Sequence, residues 1–323
     1  MDKGNDMPVN PFDPSLFRAE GVPAEVKAFN EVLIKRMAEA PGPAAQTGED
    51  SAPSPFPPVP KSARASVRSV STPEGREISV RVVPPAAASP LGAYLHLHAG
   101  GLVFGSADQD DRLLERIADA TGLAVISVDY RLAPAHPYPA AWDDCEAVAL
   151  WLAREVRSQF GGAMLAIGGE SAGATLAVPT LVRMRDKHGF TGFTAVNLSY
   201  GNFDTSMTPS QIWIGARRFV IGTADIAQCS NAYAPDVSQR RNPDISAVYA
   251  ELSRLPPALF TVGTLDPFLD DSLFVYARWI AAGNEAELAV YPGAPHAFNL
   301  MGHPHAAAAN ARIDAFLAQR VRG

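Results

Sequence analysis

The chain has 323 residues, of which 47% are hydrophobic and 19% charged, and this composition excludes an intrinsically disordered protein. Its 27 basic and 34 acidic side chains give a formal net charge of −7, which argues against a nucleic-acid-binding surface or a basic membrane face. The two cysteines, Cys145 and Cys229, cannot form a disulfide framework or a four-cysteine zinc site, so we expect reduced thiols and a cytoplasmic protein.

The N-terminal region predicts an appended arm. Its first residues lack the apolar region of a signal peptide, and no run of 18 apolar residues predicts a membrane-spanning helix. Residues 20–40 carry apolar side chains at helical spacing, and Pro-Gly-Pro at 41–43 ends that pattern. Residues 41–60 are rich in Pro, Ala, Ser and Gly, which is typical of a linker. We therefore predict an arm and linker over residues 1–63.

From residue 64 onward, strand and helix patterns alternate along the chain. The later strands are short, continuous apolar runs, as expected for parallel strands that are buried on both faces. This alternation predicts the α/β class, with a mostly parallel sheet flanked by helices and an antiparallel edge formed by the first two strands. The predicted strands are 65–70, 77–83, 93–98, 124–129, 164–167, 195–199, 258–262 and 287–291. The predicted helices are 108–121, 140–158, 172–188, 272–282 and 305–320.

One connection is much longer than the others. Nearly sixty residues separate the strand at 195–199 from the strand at 258–262, and connections of this length often form lids or binding inserts. Ligands of open α/β sheets bind beyond the carboxyl ends of the strands, where this insert begins. We therefore predict a catalytic core at 64–200 and 251–323, interrupted by a cap insert at 201–250.

The motif Gly169-Glu-Ser-Ala-Gly is the strongest indication of chemistry. It follows a predicted strand and opens a predicted helix, so it places Ser171 on a tight corner with an exposed hydroxyl. Alone, the motif would also fit a glycine-rich helix start with Ser171 as the N-cap. A serine nucleophile needs a general base that is oriented by an acid. Asp266 and His296 follow the last two predicted strands, in the chain order that this reaction class uses, although each alone could be an ordinary loop residue.

A glycine-rich loop after the strand at 93–98 predicts the oxyanion hole. Acyl transfer needs hydrogen-bond donors that face the oxyanion of the tetrahedral intermediate. The backbone N–H groups of Gly100 and Gly101, with that of Ala172 after the nucleophile, would supply them. His98 and His96 on the same strand, and Glu170 beside the nucleophile, are interpreted as structural residues.

Four motifs together resemble the hormone-sensitive-lipase-like esterases, the bacterial family IV branch of the α/β-hydrolases. They are His98-Ala-Gly-Gly-Leu-Val-Phe-Gly-Ser, Asp129-Tyr-Arg-Leu-Ala-Pro-Ala-His-Pro-Tyr-Pro-Ala-Ala, Gly169-Glu-Ser-Ala-Gly and Asp266-Pro-Phe-Leu-Asp-Asp. The resemblance covers about residues 64–320. It implies carboxylic-ester hydrolysis, a Ser171–His296–Asp266 triad, oxyanion donors at Gly100, Gly101 and Ala172, and an eight-stranded sheet with a helical cap.

The sequence departs from the family at Ala99, which replaces the first glycine of the H-G-G-G motif. A left-handed backbone at Ala99 would cost about 1 kcal/mol or more, but the expected donors are the two retained glycines. The family also forms dimers, so a homodimer is possible.

The expected activity is a serine carboxylesterase for short- to medium-chain acyl esters, because no long hydrophobic lid surface is evident. Trp213 and Phe219 are the candidates for the acyl pocket. No cofactor, metal, nucleic-acid or membrane partner is expected, only a small ester substrate. The alternatives are an amidase or lactonase with the same triad, or a non-catalytic small-molecule receptor on the same fold.

Overall fold

The computed structural model describes residues 13–39, 60–73, 75–86 and 89–322. The predicted linker at 41–60 lies outside these residues, apart from Pro60. Short 3-10 turns at Pro14–Phe17 and Ala19–Gly21 lead into helix α1, Ala24–Glu39. α1 buries Val26, Leu33 and Met37, and Asn30 donates a hydrogen bond of 2.8 Å from Nδ2 to the backbone carbonyl of Gly293. The arm is therefore anchored beside the loop that follows the last strand.

Eight strands form one sheet, which confirms the predicted α/β architecture. Their order across the sheet is β1-β2-β4-β3-β5-β6-β7-β8, with β1 and β2 antiparallel to their neighbours and all the others parallel. The strands are β1 Ser66–Ser71, β2 Glu77–Val83, β3 Gly92–Leu97, β4 Ala124–Val128, β5 Met164–Glu170, β6 Ala195–Ser199, β7 Ala258–Gly263 and β8 Ala286–Tyr291.

Helices cover both faces of the sheet, as the unbroken apolar strands require. Residues of β3, β4, β6 and β7 are buried throughout. One hydrophobic cluster joins one face of the sheet to α3, α4 and α7, and a second joins the opposite face to α2 and α8. The helices after α1 are α2 Asp111–Thr121, α3 Ala140–Phe160, α4 Ala172–His188, α5 Pro209–Trp213, α6 Thr223–Tyr233, α7 Leu269–Ala281 and α8 Ala306–Arg322.

The long insert contacts the N-terminal arm. It contains α5, α6 and 3-10 turns at Val237–Gln239 and Ala247–Tyr249. Phe219, between α5 and α6, packs against Leu33 and Met37 of α1 in a separate hydrophobic cluster. Two segments that are distant in sequence therefore meet beyond the carboxyl ends of the parallel strands. Among the described residues, none of the helices combines the length and hydrophobicity needed to span a bilayer.

Candidate active site

Ser171 lies on a strained corner between β5 and α4. Its φ and ψ are 54° and −114°, a backbone conformation that non-glycine residues rarely adopt and that is often found at functional sites. The corner is held by a hydrogen bond of 2.9 Å from the Ser171 N–H to the Ser199 carbonyl. A Cβ at Gly169 or Gly173 would lie 2.1 or 1.7 Å from the Leu97 carbonyl oxygen, so the two glycines of the motif permit this close approach to β3.

The structure brings Ser171, His296 and Asp266 into one hydrogen-bonded chain. His296 Nε2 lies 2.9 Å from Ser171 Oγ, and His296 Nδ1 lies 3.0 and 3.1 Å from the two carboxylate oxygens of Asp266. Ser171 ends the β5 corner, Asp266 follows β7 and His296 follows β8. The three residues meet because these strands are parallel and present their carboxyl ends at one edge of the sheet.

Surrounding groups fix the orientation of the histidine and the acid. Asp266 is 3% exposed, and its Oδ1 accepts a hydrogen bond of 2.9 Å from the Phe268 N–H. The His296 ring is 5% exposed and lies edge-on to the rings of Tyr200 and Phe268, with centroids 4.8 and 5.3 Å away. Ala297, directly after the histidine, takes a left-handed conformation with φ of 58°. The imidazole is therefore confined with one nitrogen toward Asp266 and the other toward Ser171.

The glycine-rich loop after β3 lies beside the nucleophile. Gly100 and Gly101 have φ of 135° and 59°, values that favour glycine, and Leu102 follows with 65°. Ala99 is not among the residues with positive φ, so the strain expected from its replacement of glycine does not occur. Among the described residues, the N–H groups of Gly100, Gly101 and Ala172 have no hydrogen-bond acceptor. They are available to an oxygen atom in the cavity.

His98 supports this loop from behind. Its Nδ1 lies 2.7 Å from the carbonyl oxygen of Ala99, and its ring stacks on Tyr130 with centroids 4.1 Å apart. The Tyr130 hydroxyl donates a hydrogen bond of 2.7 Å to the His98 carbonyl. Burial lowers the pKa of His98 to about 4, so the ring is neutral near pH 7. This geometry matches the structural role expected for His98.

His96 and Glu170 form a fully buried pair that joins β3 to β5. His96 Nε2 lies 3.0 Å from Glu170 Oε2, and His96 Nδ1 lies 2.9 Å from Ser127 Oγ. Glu170 immediately precedes Ser171, but its Oε2 contacts His96 on the neighbouring strand β3. This arrangement agrees with the expectation that both residues are structural.

Ser171 and His296 line a cavity of about 1140 Å³. The cavity extends to both sides of the nucleophile. Toward α4 and α6 it is lined by Thr175, Asn202, Asp225, Ile226, Cys229 and Tyr233. Toward α2 and α8 it is lined by Gln109, Asp110, Arg112, Leu113, Arg116 and Asn310.

The structure corrects the two predicted pocket residues. Trp213 is 80% exposed at the end of the five-residue helix α5 and does not line the cavity. Phe219 is buried, but against Leu33 and Met37 of the arm, and it lines a separate, smaller groove with Ile34. The apolar side chain of Phe219 thus joins the insert to the arm, and neither aromatic residue lines the cavity that contains Ser171.

Sequence reasoning missed the residues that do line the α6 side of the cavity. Thr175 lies one helical turn after Ser171 on α4, a spacing that could have revealed it. The Asn202 N–H donates to Thr175 Oγ1 at 3.0 Å, and Asn202 Nδ2 lies 3.4 Å from the Tyr233 hydroxyl. Cys229 lies close to the glycine-rich loop after β3, since a Cβ on Gly101 would lie 2.8 Å from its sulfur. Burial raises the pKa of the Cys229 thiol to about 12, so this thiol is protonated near neutral pH.

No group of three or more histidine, cysteine, aspartate or glutamate side chains within residues 13–39, 60–73, 75–86 and 89–322 could hold a metal ion. Cys145 and Cys229 are both free thiols.

The chain is similar to known proteins in both sequence and fold. Residues 94–300 match the family described as "alpha/beta hydrolase fold". The chain is 31% identical over 232 residues to an acetyl esterase of Salmonella typhi, and the match covers 71% of each protein. An esterase of Pyrobaculum calidifontis superposes with a TM-score of 0.75 at 28% identity, covering 91% of both chains. A hormone-sensitive lipase from a metagenome library superposes with a TM-score of 0.76 at 25% identity, covering 93% of this chain and 99% of that one.

Proposed function

Since the chain belongs to the hormone-sensitive-lipase-like esterases of the alpha/beta hydrolase fold family and is a carboxylic ester hydrolase, we propose that it acts through a Ser171–His296–Asp266 triad and an acyl-enzyme. The observation that carries this proposal is the hydrogen-bonded chain from Ser171 Oγ through His296 to Asp266, with distances of 2.9 and 3.0 Å. Its position on the strained corner after β5 supports the same role, because that corner exposes the hydroxyl to the cavity.

The first half of the reaction acylates the serine. His296 Nε2 takes the Ser171 proton while Oγ attacks the ester carbonyl carbon, and Asp266 stabilises the resulting imidazolium. The tetrahedral oxyanion accepts hydrogen bonds from the N–H groups of Gly100, Gly101 and Ala172. His296 then gives its proton to the alkoxy oxygen, the C–O bond breaks and the alcohol leaves. In the second half, water gives a proton to His296 while its oxygen attacks the acyl carbon. The bond between that carbon and Ser171 Oγ then breaks, His296 returns the proton to Oγ, and the carboxylic acid leaves.

We propose short acyl groups for this reaction. The α6 side of the cavity is lined by polar groups, among them the Thr175 and Tyr233 hydroxyls and the Asn202 amide, which are linked by hydrogen bonds. A long alkyl chain would bury these groups against hydrocarbon and remove them from water, which is unfavourable. The acetyl esterase relatives support the same preference.

We also propose that residues 1–63 and 201–250 together form the cap over this site. The contact between Phe219 and the α1 residues Leu33 and Met37 supports this division. Phe29 and Leu33 of the arm line the cavity together with Ile226 of α6, so both segments border the bound substrate.

The test is p-nitrophenyl ester hydrolysis across acyl lengths. We expect kcat/KM to be highest for acetate and butyrate and to fall by about tenfold or more at decanoate. Ser171→Ala should lower kcat by about 10⁴-fold or more, while Ser158→Ala, at an exposed position on α3, should retain full activity. Undiminished activity in Ser171→Ala would contradict the triad, and a maximum at decanoate would contradict the acyl preference.

An amidase or lactonase would use the same residues. Assays of p-nitroacetanilide and γ-butyrolactone beside p-nitrophenyl acetate distinguish these activities, and we expect the ester to be the best substrate. A non-catalytic receptor on this fold would show no turnover of any of the three. The presence of the complete Ser171, His296 and Asp266 chain disfavours that role.

A further inference from the structure

The side of the catalytic cavity next to α2 and α8 carries several polar side chains beside Leu113. We call it the polar half and define it by Gln109, Asp110, Arg112, Arg116 and Asn310, all of which line the cavity. Arg112 and Arg116 lie four residues apart on α2, so their side chains project from the same face of that helix. Two amides, one carboxylate and two guanidinium groups thus border space that is continuous with Ser171. The proposed reaction assigns no role to them.

Two of these side chains each have a buried polar atom without a hydrogen-bond partner among the described residues. Arg116 Nη1 donates to the Asn310 carbonyl at 3.0 Å and pairs with Asp314, whereas its buried Nη2 has no partner among the described residues. The Oδ2 atom of Asp110 is likewise buried without a partner in the described part of the chain. Unpaired buried groups of this kind are costly, so they are typical of places where a ligand or water completes the hydrogen bonds.

The polar half lies on the side of the site where the alcohol must leave. His296 Nε2 gives its proton to the leaving oxygen, so the alcohol part of the ester lies next to that ring. The turn directly after His296 carries Asn299, which lines the cavity. Asn299 Nδ2 donates to Asn310 Oδ1 at 3.1 Å, and Asn310 in turn contacts Arg116. Hydrogen bonds through Asn299 and Asn310 thus connect the turn after His296 to the polar half.

The mixture of charges favours a hydroxyl-bearing group over an anion. The carboxylate of Asp110 would repel an alcohol that carries an anionic group. Two nearby cations are already paired, Lys61 with Asp108 at 2.6 Å and Arg116 with Asp314. A hydroxyl both donates and accepts, so neighbouring hydroxyls can donate to Asp110 and accept from Arg116. Planar carboxylate, amide and guanidinium groups fix the directions of these bonds.

We propose that the polar half binds a leaving alcohol that carries several hydroxyl groups, such as a sugar or another polyol, so that the preferred substrates are short-chain esters of polyhydroxylated alcohols. This inference rests on the proposed esterase function and assigns its substrate class. Asp110 and Arg116 are the residues that determine this specificity.

The experiment compares two acetates of primary alcohols on six-membered rings, methyl 6-O-acetyl-glucopyranoside and cyclohexylmethyl acetate. We expect the wild-type enzyme to prefer the sugar ester by about tenfold or more in kcat/KM. Asp110→Asn and Arg116→Met should each remove most of that preference while changing kcat/KM for cyclohexylmethyl acetate by less than about twofold. Arg312→Met is the matched control, because Arg312 pairs with Glu287 outside the cavity, and it should leave both values unchanged.

If Arg116→Met does not fold, Arg112→Met replaces it, because Arg112 is exposed on the same face of α2. We expect Arg112→Met to lose a smaller part of the preference for the sugar ester. Equal activity on both acetates in the wild-type enzyme would overturn the inference and leave ester hydrolysis intact. An equal loss on both acetates in Asp110→Asn and Arg112→Met would also overturn it, because those residues would then not distinguish the alcohols. If the enzyme hydrolyses none of the three esters (the two ring acetates and p-nitrophenyl acetate), the proposed function is overturned, and the inference with it.

Discussion

Asp271 of α7 accepts hydrogen bonds from the first residues of the long insert. Its Oδ1 accepts hydrogen bonds of 2.8 Å from the N–H groups of Phe203 and Asp204, and its Oδ2 accepts bonds of 2.7 and 2.9 Å from Thr208 Oγ1 and Gln211 Nε2. The carboxylate is fully buried. We predict that Asp271→Ala lowers the free energy of unfolding by about 4 kcal/mol, since it leaves two buried backbone donors without acceptors at about 1–3 kcal/mol each.

Asp271→Asn should cost only about 1–2 kcal/mol, because its remaining oxygen can still accept from both backbone N–H groups. Burial raises the pKa of Asp271 to about 7, so urea unfolding followed by circular dichroism is best measured at pH 8, where the carboxylate is ionised. Asp270→Ala is the matched control: Asp270 accepts one backbone bond of 2.8 Å, from Ser210, and its loss should cost about 1 kcal/mol. Equal costs for Asp271→Ala and Asp271→Asn would refute this reasoning.

Three further predictions concern the site and the arm. Asp266→Asn should lower kcat on p-nitrophenyl acetate by about 10⁴-fold with little change in Tm, and a loss below tenfold would contradict its role in orienting His296. Gly100→Ala should lower kcat by about 100-fold, because the new Cβ would lie 2.0 Å from the Phe104 carbonyl oxygen and the φ of 135° at this position favours glycine. Wild-type kinetics in this variant would argue against an oxyanion-binding role of the loop. Burial lowers the pKa of His303 from 6.5 to about 4. As the pH falls, His303 is therefore protonated in the unfolded chain before it is protonated in the folded protein, and the free energy of unfolding decreases between pH 6.5 and 4. His303→Gln should reduce that decrease by about 1–3 kcal/mol in urea unfolding at pH 7 and 4.5, and an unchanged decrease would contradict this assignment.

The sheet and the positions of Ser171, Asp266 and His296 at its edge could be predicted because their patterns are local. Each buried strand is a short apolar run, and Ser171, Asp266 and His296 each follow such a run directly. The parallel arrangement of the strands then brings the three loops together without any knowledge of side-chain contacts. The strand bounds agree with the structure to within a residue or two, apart from β5, which continues to Glu170 because Gly168 and Gly169 still pair with β3 and β6.

The packing of the insert and the residues that line the cavity could not be predicted because they depend on contacts between distant segments. α5 has only five residues, and a hydrophobic pattern this short cannot show that Trp213 faces solvent. Phe219 packs on an arm that lies almost 200 positions earlier in the chain. Asp271 looks like an ordinary acidic residue in the first turn of a helix, and only the fold places the insert's N–H groups against it.

Covalent labelling of Ser171 tests the central claim most directly. The enzyme is incubated with a p-nitrophenyl alkylphosphonate, whose phosphorus is attacked by an activated serine and retains a stable bond to it. Intact-mass measurement and peptide mapping should then show one phosphonyl group on Ser171, with equimolar release of p-nitrophenol and complete loss of esterase activity. Ser171→Ala should remain unlabelled. Labelling at another residue, or full esterase activity after stoichiometric labelling of Ser171, would contradict the proposed acyl-enzyme mechanism.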